Sequence, residues 1–178
     1  MKAARLGIAT AVTRLTRPKR RNARLNPCLG LPVEFDEKMC DIVSEARGVW
    51  RWKKIVVGPS IAIFPPSERE AILLHEVAHC KGRHLERRIG ALWLLLVSPR
   101  RLARLCVEQE FEADSFVAAC GKGPALASAF IRLQANGRAS SSSVLHPSLA
   151  ERIDRLSRTP PFVPAPSATT IGMGQNLT

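Results

Sequence analysis

Apolar residues along most of the chain recur at helical spacing, with one stretch of different rhythm. Phe35, Met39, Ile42, Val43 and Ala46 fall three or four apart and predict a helix over residues 36–47. From Trp50 to Phe64 the pattern shortens: IVV and IAIF flank Gly58–Pro59, which predicts two short strands around a turn. Pro65–Pro66 stops the second strand. Ser67 followed by Glu70 has the form of a capping box, and Ile72, Leu73, Leu74, Val77 and Ala78 carry the helix it opens to about His84. Another helix is expected over residues 87–97. Ser98 and Pro99 read as the cap and first position of a longer one, which runs to Cys120 and ends at Gly121 and Gly123. Pro124 opens a helix with Leu126, Phe130 and Leu133 inward, ending at Asn136–Gly137. Residues 140–143 read as a loop, and Pro147 starts a last short helix through Ile153 and Leu156. The fold class is α+β, mostly helical, with a small sheet whose edge is Ile61–Phe64.

Charge adds boundaries to this pattern. The chain has 178 residues and a net charge of +12, enough for one domain with a modest core. Residues 1–33 hold eight Lys or Arg and no acid, and read as a basic N-terminal arm. Residues 34–158 form the domain, and residues 159–178, rich in Pro, Ala, Ser, Thr and Gly, read as a disordered tail. Such an arm suits an anionic membrane surface or nucleic acid. A second basic block runs from Lys81 to Arg104 and brackets the longest apolar stretch, Ile89–Val97. That stretch is about half of the roughly 20 residues needed to cross a bilayer. It is read first as a buried helix and second as an interfacial one. The LGIATAV patch near the N-terminus is cut short by Arg14, so no signal peptide is read there. The five cysteines are odd in number and form no CxxC pair, which argues against a disulfide framework and for a reducing, cytoplasmic setting, peripheral to a membrane where the arm engages one.

The segment that carries chemistry is His75-Glu76-Val77-Ala78-His79. Histidines four apart on a helix point the same way, so both imidazoles can reach one zinc ion, Zn2+. The carboxylate of Glu76 between them can take the proton of an attacking water. A third protein ligand is needed. The metzincin pattern HExxHxxGxxH fails, because its third histidine falls at Leu85. His84 lies five residues past His79, where an ideal helix turns it off the His75–His79 face; it reads as packing. The acids of Glu108-Gln109-Glu110-Phe111-Glu112-Ala113-Asp114 are the better source. Glu110 and Asp114 share a helix face, so one can bind the metal while the other supports a ligand histidine.

HEVAHCKGRH, EFEAD and HPSLAERI, in that order, resemble the three blocks of the gluzincin family that includes HtpX and the CAAX prenyl endopeptidases, its soluble members most of all. The resemblance spans roughly residues 67–156. It implies a zincin-like metalloendopeptidase domain that cleaves protein or peptide substrates, with His75, His79 and Glu110 as zinc ligands and Glu76 as the catalytic base. It also implies Asp114 behind a ligand, His146 beside the open metal position and Arg152 locking the site. Membrane members insert a helical hairpin between the first two blocks, where this chain has only a short gap. Two alternatives are a regulatory zinc peptidase similar to ImmA/IrrE, to which EFEADSFVAA is loosely similar, and a non-catalytic zincin-fold module that binds nucleic acid or membrane.

Overall fold

The computed structural model describes residues 24–26, 30–39, 42–137 and 146–158. It is α+β and mostly helical. Four strands, β1 (Arg24–Asn26), β2 (Leu31–Phe35), β3 (Ser44–Arg47) and β4 (Lys54–Val57), form one sheet in the order β1-β2-β4-β3. β2 and β4 are parallel; the two outer pairs are antiparallel. Six helices follow: α1 (Pro66–Lys81), α2 (His84–Gly90), α3 (Leu94–Val97), α4 (Pro99–Ala119), α5 (Gly123–Ala135) and α6 (Leu149–Arg158).

β4 lies inside the sheet, and its Ile55, Val56 and Val57 are all buried, as a run of β-branched residues covered on both faces should be. α1 packs against β3, β4, α4 and α5. Every residue from Glu70 to Ala78 is buried, so the middle of this helix has no solvent stripe and lies inside the fold. Ala71, Leu73, Val117, Leu126 and Phe64 complete the core around it. Acids on α1 are paired rather than hydrated: Glu68 receives Arg132 and Ser128, and Glu70 receives Lys122.

Several expectations are corrected. Residues 44–47, read as helical, form β3, paired antiparallel with β4 from Ser44↔Val57 to Arg47↔Lys54. A helix there would have left that side of β4 without hydrogen-bond partners, and the pairing overrides the local spacing. Ile61–Phe64 is no edge strand: Pro59–Ile63 is a 3₁₀ turn. Ile61 and Phe64 are buried while Ala62 and Ile63 face out, a period of three that suits such a turn rather than the period of two a strand requires. The edge beside α1 is therefore β3.

The Ser67–Glu70 capping box does not form. Pro65 is the cap and Pro66 the first helical residue, and no side chain caps the end. The helix read over residues 87–97 is two pieces, α2 and α3, separated by the turn 91–93, and none of Leu94–Val97 is buried. The boundary drawn after residue 33 cuts β2, and β1 also belongs to the sheet. The rest of the arm, the loop at residues 140–143 and the tail lie outside the described residues. No helix among the described residues is long and apolar enough to cross a membrane. Cys80, Cys106 and Cys120 are unpaired; Cys28 and Cys40 lie outside the described residues.

Candidate metal centre

α1 presents His75 and His79 one turn apart, α4 presents Glu110 and Asp114 at the same interval, and α6 adds Arg152. These helices pack together, and the five side chains converge where they meet. His75 Nε2 lies 3.0 Å from His79 Nε2 and 3.4 Å from Glu110 Oε2; His79 Nε2 lies 3.6 Å from Glu110 Oε1. These donors lie within 4.8 Å of one another and could hold a metal ion. His146, half exposed just before α6, reaches the same carboxylate, with Nδ1 3.5 Å from Glu110 Oε1.

Asp114 stands behind His75, its Oδ1 3.1 Å from Nδ1. An N–H on Nδ1 pointing at that carboxylate leaves Nε2 as the atom that faces Glu110. Arg152 grips Asp114 through Nε and Nη2 at 2.8 and 2.7 Å and reaches Glu110 Oε2 through Nη1 at 3.3 Å. Its guanidinium stacks over Phe130 at 4.2 Å, so one apolar contact and two carboxylates fix it. Glu76 is buried beside this group. It accepts a hydrogen bond from Ser44 Oγ of β3 at 2.8 Å, which brings the edge strand against the site.

Burial works against the charge of Glu110, yet hydrogen bonds from His146, His75 and His79 hold its carboxyl well below the usual carboxylate range. Asp114 is lowered likewise: burial opposes its ionisation, while Arg152 and His75 outweigh that. For His75, burial and the charge of Arg152 oppose protonation, but hydrogen bonds to Asp114 and Glu110 prevail and raise it to about 9.

The structure also brings in a residue that helical extrapolation turns away. α1 ends at Gly82, and Arg83 takes the left-handed conformation at φ 54°, ψ 38°, which turns the chain so that His84 swings back toward α1. His84 Nδ1 lies 2.8 Å from His79 Nδ1, and its Nε2 lies 3.0 Å from Glu112 Oε2. Burial first, then the adjacent His79 imidazole, push His84 down to about 4. A neutral His84 that donates from Nε2 to Glu112 must accept at Nδ1. His79 then carries its proton on Nδ1 and leaves Nε2 free, a tautomer assigned from the network. The left-handed residue is Arg83 and not the adjacent glycine, and Gly82 has another reason to be glycine: a Cβ there would fall 2.3 Å from His84 Nε2. Gln109, fully buried, donates to the His84 carbonyl at 3.2 Å and accepts from Arg88. Gly82 is the signal that could have located this bend, since glycine commonly ends a helix; nothing in the sequence points to Ser44 or Gln109.

No protein-family model matches the chain, and no curated protein is detectably similar to it.

Proposed function

We propose that the chain is a zinc metalloendopeptidase of the HtpX-like gluzincin type, hydrolysing peptide bonds of protein substrates. The observation that carries this is the His75–His79–Glu110 cluster, with separations of 3.0, 3.4 and 3.6 Å. Ligand atoms about 2.0–2.1 Å from a tetrahedral zinc stand about 3.3 Å apart. Two imidazoles and one carboxylate are also the ligands of catalytic sites that keep a position open, in contrast to the cysteine-rich sets of structural zinc.

Zinc, when bound, supplies an acidified water and polarises the carbonyl it attacks. The chain's own residues do the rest. Glu76, not one of the three ligands, takes the proton, and Ser44 holds its carboxylate in place. Asp114 and Arg152 fix His75 and Glu110. His146, the most exposed group of the cluster, meets the substrate at the open side. The outer edge of β3 has no partner among the described strands, and an extended peptide can pair there by β-augmentation. Unpaired Cys80, Cys106 and Cys120 suit a reducing, cytoplasmic setting.

The test uses the full chain loaded with one equivalent of zinc and an unfolded substrate such as casein. Cleavage is expected, a chelator is expected to stop it, and added zinc to restore it. Stoichiometric zinc without any cleavage would favour the non-catalytic binding module instead.

His84 acts here as a positioning residue for His79. In a His84→Ala chain, zinc affinity is expected to fall about 10–100-fold, the range for partners behind a metal ligand, and turnover to recover at saturating zinc. Chelator competition and a zinc titration of activity measure the two effects. An unchanged affinity would return His84 to a packing role.

A further inference from the structure

The turn and short helix between α2 and α4 form an apolar ridge with nothing packed on its outer side among the described residues. Trp93 is 60% exposed, Leu95 55%, Leu96 90% and Val97 67%. Water-facing aliphatic residues in such a run are a liability unless something covers them.

Three observations say what covers them. First, the ridge is flanked by free positive charge. Of the seven Lys or Arg from Lys81 to Arg104, Arg87 and Arg88 are taken up by Glu112 and Glu110, and the charge beside the ridge is that of the three arginines that follow it. Arg100, Arg101 and Arg104, in the first turns of α4 immediately beyond Val97, are exposed, and their side chains form no ion pair with another described residue. Second, every tryptophan of the chain is on the surface: Trp93 on the ridge, with Trp50 at 72% and Trp52 at 67% on a neighbouring turn. That turn is tied to α2, since the Trp50 backbone N–H donates to Glu86 at 3.0 Å. Tryptophan concentrates at membrane–water interfaces, where its ring is half apolar and half wet. Third, the apolar run Ile89–Val97 is too short to span, since a crossing takes about 20 residues, and no helix among the described residues is long and apolar enough to cross.

We propose that this ridge is a monotopic docking surface for an anionic lipid bilayer. Leu95, Leu96, Val97 and Trp93 enter the interface while Arg100, Arg101 and Arg104 meet the headgroup phosphates. A second copy of the chain is the poorer occupant, because identical arginine clusters would be brought face to face. Nucleic acid would leave Leu95, Leu96 and Val97 uncovered, for they offer no stacking surface. This inference stands apart from the peptidase reading and uses none of the metal-site residues.

The test must separate the ridge from the basic residues nearer the N-terminus, so it reads insertion and not attraction alone. In a full chain carrying Trp50→Phe and Trp52→Phe, Trp93 is the only tryptophan. With vesicles of equal parts phosphatidylcholine and phosphatidylglycerol, its emission is expected to shift to the blue and to be quenched by lipids brominated on the acyl chain. Neutral phosphatidylcholine vesicles and high salt are both expected to weaken the effect. Adding Leu96→Asp, at a position so exposed that folding should not suffer, is expected to lower partitioning about tenfold or more, with circular dichroism unchanged. Three results would each overturn the proposal: vesicle binding with Trp93 unquenched, Leu96→Asp partitioning like its parent, or Leu96→Asp splitting a dimer without affecting vesicle binding.

Discussion

A Glu76→Gln chain is expected to keep its zinc and to lose peptide hydrolysis by a factor of about 10²–10⁴, the usual contribution of a general base. The substitution is nearly isosteric, and Ser44 Oγ, 2.8 Å from the carboxylate in the parent, can donate equally well to an amide oxygen. Fold and site geometry should therefore persist. The cluster that would hold the metal is His75, His79 and Glu110, so ligation loses nothing. What disappears is a buried oxygen able to accept a proton. Zinc content by elemental analysis and cleavage of an unfolded substrate are measured on the same sample. Turnover within about tenfold of the parent would remove Glu76 from the chemistry, and loss of zinc would mean that it belongs to the ligand set.

Glu110→Gln is expected to have the largest effect on metal binding, weakening zinc by more than the roughly 10–100-fold typical of residues behind the ligands. It should also destabilise the chain with chelator present. The carboxylate lies amid His75, His79, His146, Arg88 and Arg152. A neutral amide leaves those groups facing one another, and removing one partner from a buried ion network costs about 3–5 kcal/mol. Arg152 retains its two-pronged contact to Asp114, so the cost should lie toward the lower end. Glu110→Asp separates the two roles: it restores the charge and most of the stability but, one methylene shorter, still binds zinc weakly. Chelator competition and thermal unfolding with chelator test the pair. Stoichiometric zinc in Glu110→Gln would move the third ligand elsewhere.

The helices that build the site could be read in the sequence because each has a local cause. α4 begins at Ser98–Pro99 and ends before Gly121, and α6 follows Pro147, so their terminal residues announce them. Four-residue spacing on one helix put His75 with His79 and Glu110 with Asp114. What could not be read depends on distant partners. Residues 44–47 have helical spacing but become a strand because β4 needs its outer hydrogen bonds met, and that demand arises ten residues later in the chain. Ser44 therefore reaches Glu76 from a segment assigned to the wrong element. His84 was misplaced because a regular helix was extended through Gly82 and Arg83, where the backbone turns left-handed. The apolar run from Leu92 to Val97 looks the same in sequence whether it faces a core or the solvent.

The two connectors between His79 and Glu110 differ in how they can change length. Gly82–Arg83 is fixed from both sides: each residue added to a helix rotates the next by about 100°, so one insertion or deletion there would carry His84 off His79 and Glu112. The segment from Ala91 to Ser98 lies under no such constraint. It leaves α2 and returns to α4 with Leu92, Trp93 and Leu95–Val97 exposed, and Glu110 is held by the packing of α4 on α1. Extra residues at that tip would extend the excursion without moving a single group of the cluster. The short gap between the histidine pair and the glutamate is thus a place where chain length can vary widely around a fixed site.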